Sequence, residues 1–205
     1  MLALTKHMKS VLISLIMSLS LIAHAETGGW VTRDGKPVPN SDAMKSINGF
    51  GGWLVVTPDS DWEEKWNTSP ETVPNFSEAK DVSYGEKLTI LAFYVNPKAN
   101  ASGELDVLCD IKVTRPDGSS SANAKGVQCA AGKLQGDPRN VRLSTAVIKY
   151  VGEKGDPPGK WVVEIALTDK VRGTIIPLKA HFNLLSKKAN LSVERDAAKA
   201  RRPSP

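Results

Sequence analysis

The sequence predicts an all-β fold, an antiparallel two-sheet sandwich of about seven strands with one short helical turn near its N-terminus. Three observations predict it. From Trp161 to Asp169, large apolar residues occupy the odd positions while Glu164 and Thr168 fall on the even ones, which is the period of a half-buried strand. Leu105 to Thr114 alternates in the same way, with Asp106, Asp110 and Lys112 on the face opposite Leu105, Val107, Cys109, Ile111 and Val113. Pro, Gly and Asn breaks separate such runs along the chain, and hardly any stretch carries helical periodicity.

The N-terminus reads as an address. Lys6 and Lys9 precede an apolar run from Val11 to Ala23, and Ala23-His24-Ala25 supplies a small-x-small cleavage pattern, so residues 1–25 are expected to be a secretory signal cut after Ala25. An apolar core of about thirteen residues is shorter than the ~20 needed to span a bilayer. The mature chain is therefore expected in the periplasm or outside the cell. Residues 26–49 read as an N-terminal extension, with Gly49, Gly51 and Gly52 forming a flexible entry to a first short strand, Trp53 to Thr57.

Between the first two strands, Ser60-Asp61-Trp62-Glu63 has the spacing of a capping box and predicts one helical turn that sets Trp62 and Trp66 on one face. Thr68 to Val82, with Pro70 and Pro74, reads as a loop crossing the sandwich. Leu88 to Val95 is apolar at nearly every position, as a strand covered on both faces would be. After Leu105–Thr114, the turn residues Arg115-Pro116-Asp117-Gly118 lead to a short return strand through Val127, Cys129 and Ala131. Val141 to Val151 reads as a longer strand. Residues 160–185 form a terminal hairpin, in which Ile176, Leu178, Phe182 and Leu184 face inward with Trp161, Val163, Ile165 and Leu167.

Cys109 and Cys129 are the only cysteines, and an even count in an exported chain favours a disulfide. A hairpin closing symmetrically about Ser119 would set Cys109 directly opposite Cys129, Val107 opposite Ala131 and Ile111 opposite Val127. The mature chain has one histidine, His181, at outward strand parity, and one methionine, Met44. These residues offer no set of ligands for a transition metal and no Ser-His-Asp arrangement, so neither a metal nor another cofactor is expected. Asp59 and Asp61 read as favourable charge at a helix start, and Glu63, Glu64 and Glu71 lack any supporting substrate pattern.

The formal net charge of +5 does not describe the folded part. Residues 26–186 hold 19 Lys and Arg against 20 Asp and Glu, whereas residues 187–205 hold six against two. A nucleic-acid partner is not indicated. The basic segment 187–205 reads as a solvated tail able to touch anionic surfaces.

Asp156-Pro157-Pro158-Gly159-Lys160-Trp161, followed by Val163, Ile165, Leu167 and Thr168-Asp169, resembles the penultimate strand of bacterial immunoglobulin-like and fibronectin-like modules, loosely over residues 50–186. That resemblance implies a sandwich and no particular activity. The leading expectation is a non-enzymatic binding or assembly module of the cell envelope, taking a protein or glycan partner through loops or a sheet edge. Trp62 and Trp66 are its candidate partner-binding residues. An extracytoplasmic hydrolase or carbohydrate-active enzyme is the alternative, and a secreted inhibitor a further one. A cleft with convergent ionised groups would mark the enzyme, and an apolar or aromatic patch the binding module.

Overall fold

The structure, a computed structural model, describes residues 29–32, 34–68 and 74–186. The expected signal at 1–25, the tail at 187–205 and Glu71 lie outside them. Alternation along the chain resolves into two packed sheets. The first contains β1 (Met44–Ile47), β2 (Phe50–Thr57) and β4 (Lys87–Val95), with β7 (Arg142–Leu143) and β8 (Ile148–Val151) both paired to the far side of β4. The second runs β3 (Asp81–Val82), β10 (Thr174–Leu184), β9 (Gly159–Asp169), β5 (Glu104–Thr114), β6 (Ser120–Lys133). All pairings are antiparallel except β3 with β10. Among the described residues no helix is long and apolar enough to cross a membrane.

The core lies between the sheets, and the residues that the alternation of 160–185 assigns to it are all buried: Trp161, Val163, Ile165, Leu167, Ile176, Leu178, Phe182 and Leu184. Opposite them stand Phe50, Leu54 and Val56 of β2 and Leu88, Ile90, Ala92 and Tyr94 of β4. Gly52 brings the layers together, because a Cβ there would sit 2.9 Å from Leu167 and 3.1 Å from Leu178. Trp161 and Phe182 stack at 6.1 Å, Tyr150 closes on them at 5.0 and 4.7 Å, and the Arg115 guanidinium covers the Trp161 ring at 5.7 Å. These rings close one end of the sandwich.

Main-chain bonds join the sheets along both sides. On one side, Ser144 N–H donates to Ala92 O and Thr145 N–H to Cys129 O, each at 2.9 Å. On the other, Lys179 N–H donates to Asp42 O at 2.8 Å.

Several boundaries differ from those read in the sequence. Residues 44–47, within the presumed N-terminal extension, are a strand, and Gly51 and Gly52 are paired inside β2 and not a flexible entry. The short return strand is fourteen residues long. Val141–Val151 is two short strands, because after Ser144, still bonded to Ala92 of β4, the chain turns to β6 through Thr145.

Cys109 and Cys129 are bonded and fully buried, yet they are not directly opposed. Cys109 pairs with Val127, Val107 with Ala130 and Ile111 with Ala124, and Cys129 is the extra residue of a bulge. The symmetric register fails because β6 takes three such irregularities against β5, and the turn centres on Asp117 rather than Ser119. One irregularity is pinned by Asp110, whose carboxylate accepts from Gly126 N–H at 2.8 Å and Lys125 Nζ at 3.0 Å. The bond closes a separation of 20 residues, so replacing both cysteines by Ala is expected to cost roughly 3 kcal/mol on the chain-entropy account. Urea unfolding of the double variant, with and without reductant, measures it; reductant should move the wild type only.

Candidate functional site

The outer face of the first sheet carries a second aromatic cluster. Outward parity on β2 and β4 presents Trp53, Val55, Leu91 and Phe93, and the helix α1 (Trp62–Trp66) lies over them with Phe76 and Trp30. Phe93 is the hub, with Trp53 and Trp66 each at 5.2 Å and Phe76 at 5.4 Å between ring centroids. Trp30 docks its edge on Trp53 at 6.1 Å and donates its indole N–H to Gly52 O. Trp62 and Trp66 therefore cover a sheet face; they do not plug an end of the sandwich, a role taken by Tyr150 and Trp161.

The expected capping box is replaced by another arrangement. Asp61 is the N-cap residue and makes no side-chain cap bond. Asp59 accepts from Lys65 Nζ at 2.8 Å and from Ser77 N–H at 2.9 Å, tying the start of α1 to the following loop. Burial opposes ionisation of Asp59, but Lys65 and Ser77 outweigh it and hold its pKa down to about 2. A depressed carboxyl stabilises the fold fully above its unfolded value and loses that contribution as the pH falls through the folded one. Asp59→Asn is accordingly expected to melt below the wild type at about pH 6, with the gap closing between about pH 4 and 2. Thermal melts across that range check it; a gap that persists at low pH would remove the carboxylate from the account.

A groove of about 370 Å³ opens beside α1, lined by Pro58, Asp59, Ser60, Trp62, Lys87, Leu88, Thr89, Lys149, Tyr150 and Val151. Four segments build it. The loop after β2 supplies Ser60, α1 supplies the half-buried Trp62, and β4 with the sheet-edge strand β8 supplies the floor and far wall. The register places Lys87 opposite Val151 and Thr89 opposite Lys149, so Lys87, Thr89, Lys149 and Val151 share the outer face. Val151 is 39% exposed, a solvent-facing apolar residue in the same lining as Trp62. Sequence reasoning finds Trp62 but not the lysines. Lys87 and Thr89 could have been read from their parity opposite Leu88 and Ile90; their meeting with Lys149 depends on the pairing of β4 with β8, which no local pattern encodes.

Trp66 sits apart from the groove lining and packs inward on Phe93. His181 is exposed on β10. Glu164 lies on the outer face of the second sheet between Lys112 at 4.0 Å and Lys179 at 3.7 Å, beside a shallower depression that includes Lys45, Asp110 and Lys125. Asp169, fully buried, accepts from Lys98 N–H at 2.8 Å and Arg172 N–H at 2.9 Å. Among the described residues no three His, Cys, Asp or Glu side chains come together as a metal-binding group.

The fold is thus that of an all-β two-sheet sandwich with a helix-covered outer face. The chain matches no family model and no curated protein. Its likenesses to solved structures are loose. A family 123 glycoside hydrolase from Clostridium perfringens aligns at 10% identity and TM-score 0.39 over 66% of this chain, which spans only 27% of the hydrolase. A Niemann-Pick type C2 protein from the Japanese carpenter ant aligns at 10% identity and TM-score 0.34, over 64% of this chain and 89% of that one. The C-terminal domain of wzt gives 12% identity and TM-score 0.33, over 52% and 64%.

Proposed function

We propose that this protein is an exported, non-enzymatic binding module of the cell envelope, an immunoglobulin-like sandwich that takes its partner in the groove between α1 and the edge strand β8. The groove carries this reading: it combines one aromatic side chain with loop and edge-strand walls, and the only carboxylate among its described lining residues, Asp59, is already engaged by Lys65 and Ser77. Among the described residues no pair of carboxyls meets there. Supporting the immunoglobulin-like reading, β4 and β8 pair in one sheet while β5, β9 and β10 pair in the other, with the chain crossing between layers. The disulfide supports a location outside the reducing cytoplasm.

Pull-down from an envelope extract tests it, comparing the wild type with Thr89→Tyr, which fills the groove floor on an outward-facing strand position. The expected result is a partner retained by the wild type and lost with Thr89→Tyr at unchanged melting temperature. Identical captures by both proteins would remove the groove from the reading. Turnover of an ester, peptide or glycoside that disappears when one Asp or Glu is replaced, with folding intact, would replace the binding module by an enzyme.

A further inference from the structure

We infer that the ligand of this groove is an anionic sugar, a pyranose ring stacked on Trp62 whose carboxylate or phosphate sits between Lys87 and Lys149. This rests on the binding-module reading and adds the ligand class. Lys87 and Lys149 occupy diagonal positions on adjacent strands, an arrangement that sets such neighbours about 7–8 Å apart, with their β-carbons somewhat closer. Each is exposed, and neither ammonium group makes a hydrogen bond or ion pair with any described residue. The lysine of the adjoining helix differs from them, since Lys65 is held by Asp59 and Asp61.

Two neighbouring ammonium groups without a counter-ion repel each other, and an anion bound between them removes that repulsion. The same groove is lined by Trp62, whose indole is a flat apolar surface of the kind that packs on the C–H face of a sugar ring. The Ser60 and Thr89 hydroxyls lie in the same lining and have no partner among the described residues, so they are available to ring hydroxyls. Asp59 does not cancel the lysines, because its charge is matched by Lys65. The volume of about 370 Å³ is at the small end for ligand sites, which limits recognition to a short stretch of a chain or its terminus.

The experiment titrates the full mature protein with an oligogalacturonate, a hexose phosphate, a neutral maltooligosaccharide and inorganic phosphate, read by calorimetry and by the indole N–H resonance of Trp62. One or both anionic sugars should bind and shift that resonance, the neutral sugar and inorganic phosphate should bind far more weakly, and affinity should fall with added salt. Whichever anionic sugar binds identifies the source of the charge. Lys87→Ala and Lys149→Ala should each weaken binding about tenfold, the loss of one charge-assisted hydrogen bond, without changing the melting temperature. Trp62→Phe keeps an aromatic wall and should weaken binding less than Trp62→Ala.

Equal affinity for neutral and anionic sugars, equal affinity for inorganic phosphate, or lysine variants that bind like the wild type would each overturn the proposal. No binding of any probe, while the envelope partner is still retained in a groove-dependent way, would reject the anionic sugar and leave the binding module standing. Loss of that retention as well would reject both.

Discussion

Replacing Ile165 by Asp is expected to abolish folding. Ile165 is 1% exposed at the middle of β9, flanked by Leu178 of β10 and Ile111 of β5 on the inner face of its sheet. No described cation faces that position from the core, whose lining is apolar. A carboxyl placed there either ionises without a partner or is protonated at a cost, and loses the packing of the original side chain in both cases. The penalty is on the order of 5 kcal/mol, comparable with the whole stability of many domains. Lys179→Ala, one strand away on the outer face, removes only a half-exposed ion pair with Glu164 and should change stability by less than about 0.5 kcal/mol. Circular dichroism and urea unfolding of the two variants test the assignment of faces; similar effects would mean that it is wrong.

Asp169→Ala should destabilise the protein by about 3–5 kcal/mol, the usual result of removing one member of a buried charge pair. The carboxylate lies fully buried in the turn from β9 to β10 and accepts from two main-chain N–H groups, with Arg172 Nε at 3.5 Å. Arg172 in turn donates to Asn48 O at 3.0 Å and Asn96 O at 3.1 Å. Those two asparagines hold positive φ, 48° and 53°, at the β1–β2 turn and the end of β4. One aspartate thus connects turns belonging to both sheets. Loss of its charge takes the buried carboxylate away from the guanidinium and frees two N–H groups together. Asp169→Asn keeps an acceptor and should fall between Ala and wild type. Urea midpoints give the order, and an Ala variant within about 1 kcal/mol of wild type would mean that water replaces the carboxylate without loss.

The long strands were legible because their faces differ. Alternation assigns the β9–β10 hairpin inward and outward residue by residue, and β4 announces its two-sided burial by lacking alternation. The disulfide was legible from compartment and parity, but its register was not: bulges at Ser121, near Lys125 and at Cys129 change the count across β6 without interrupting the chemistry of the strand. β1 and β3 escaped because four and two residues carry no period; β1 is defined by its hairpin with β2 and β3 by pairing with the distant β10. Trp62 stood out as a large aromatic beside a predicted helical turn. Its neighbours in the groove did not, since Lys87 and Lys149 look like ordinary solvent-facing lysines until β4 and β8 are laid side by side.

The two aromatic clusters divide the protein's indoles unequally, and that division makes local and global opening separately visible. Trp30, Trp53, Trp62 and Trp66 belong to the outer face, while Trp161 alone lies in the core between the sheets. Loosening of α1 from its sheet would change most of the intrinsic fluorescence while leaving the strand signal in the far ultraviolet almost untouched. Loss of the sandwich would change both. If the outer layer opens first, the emission transition in urea precedes the circular dichroism transition, and a Trp161→Phe variant keeps the early step. The protein would then report the readiness of its groove through its own spectrum.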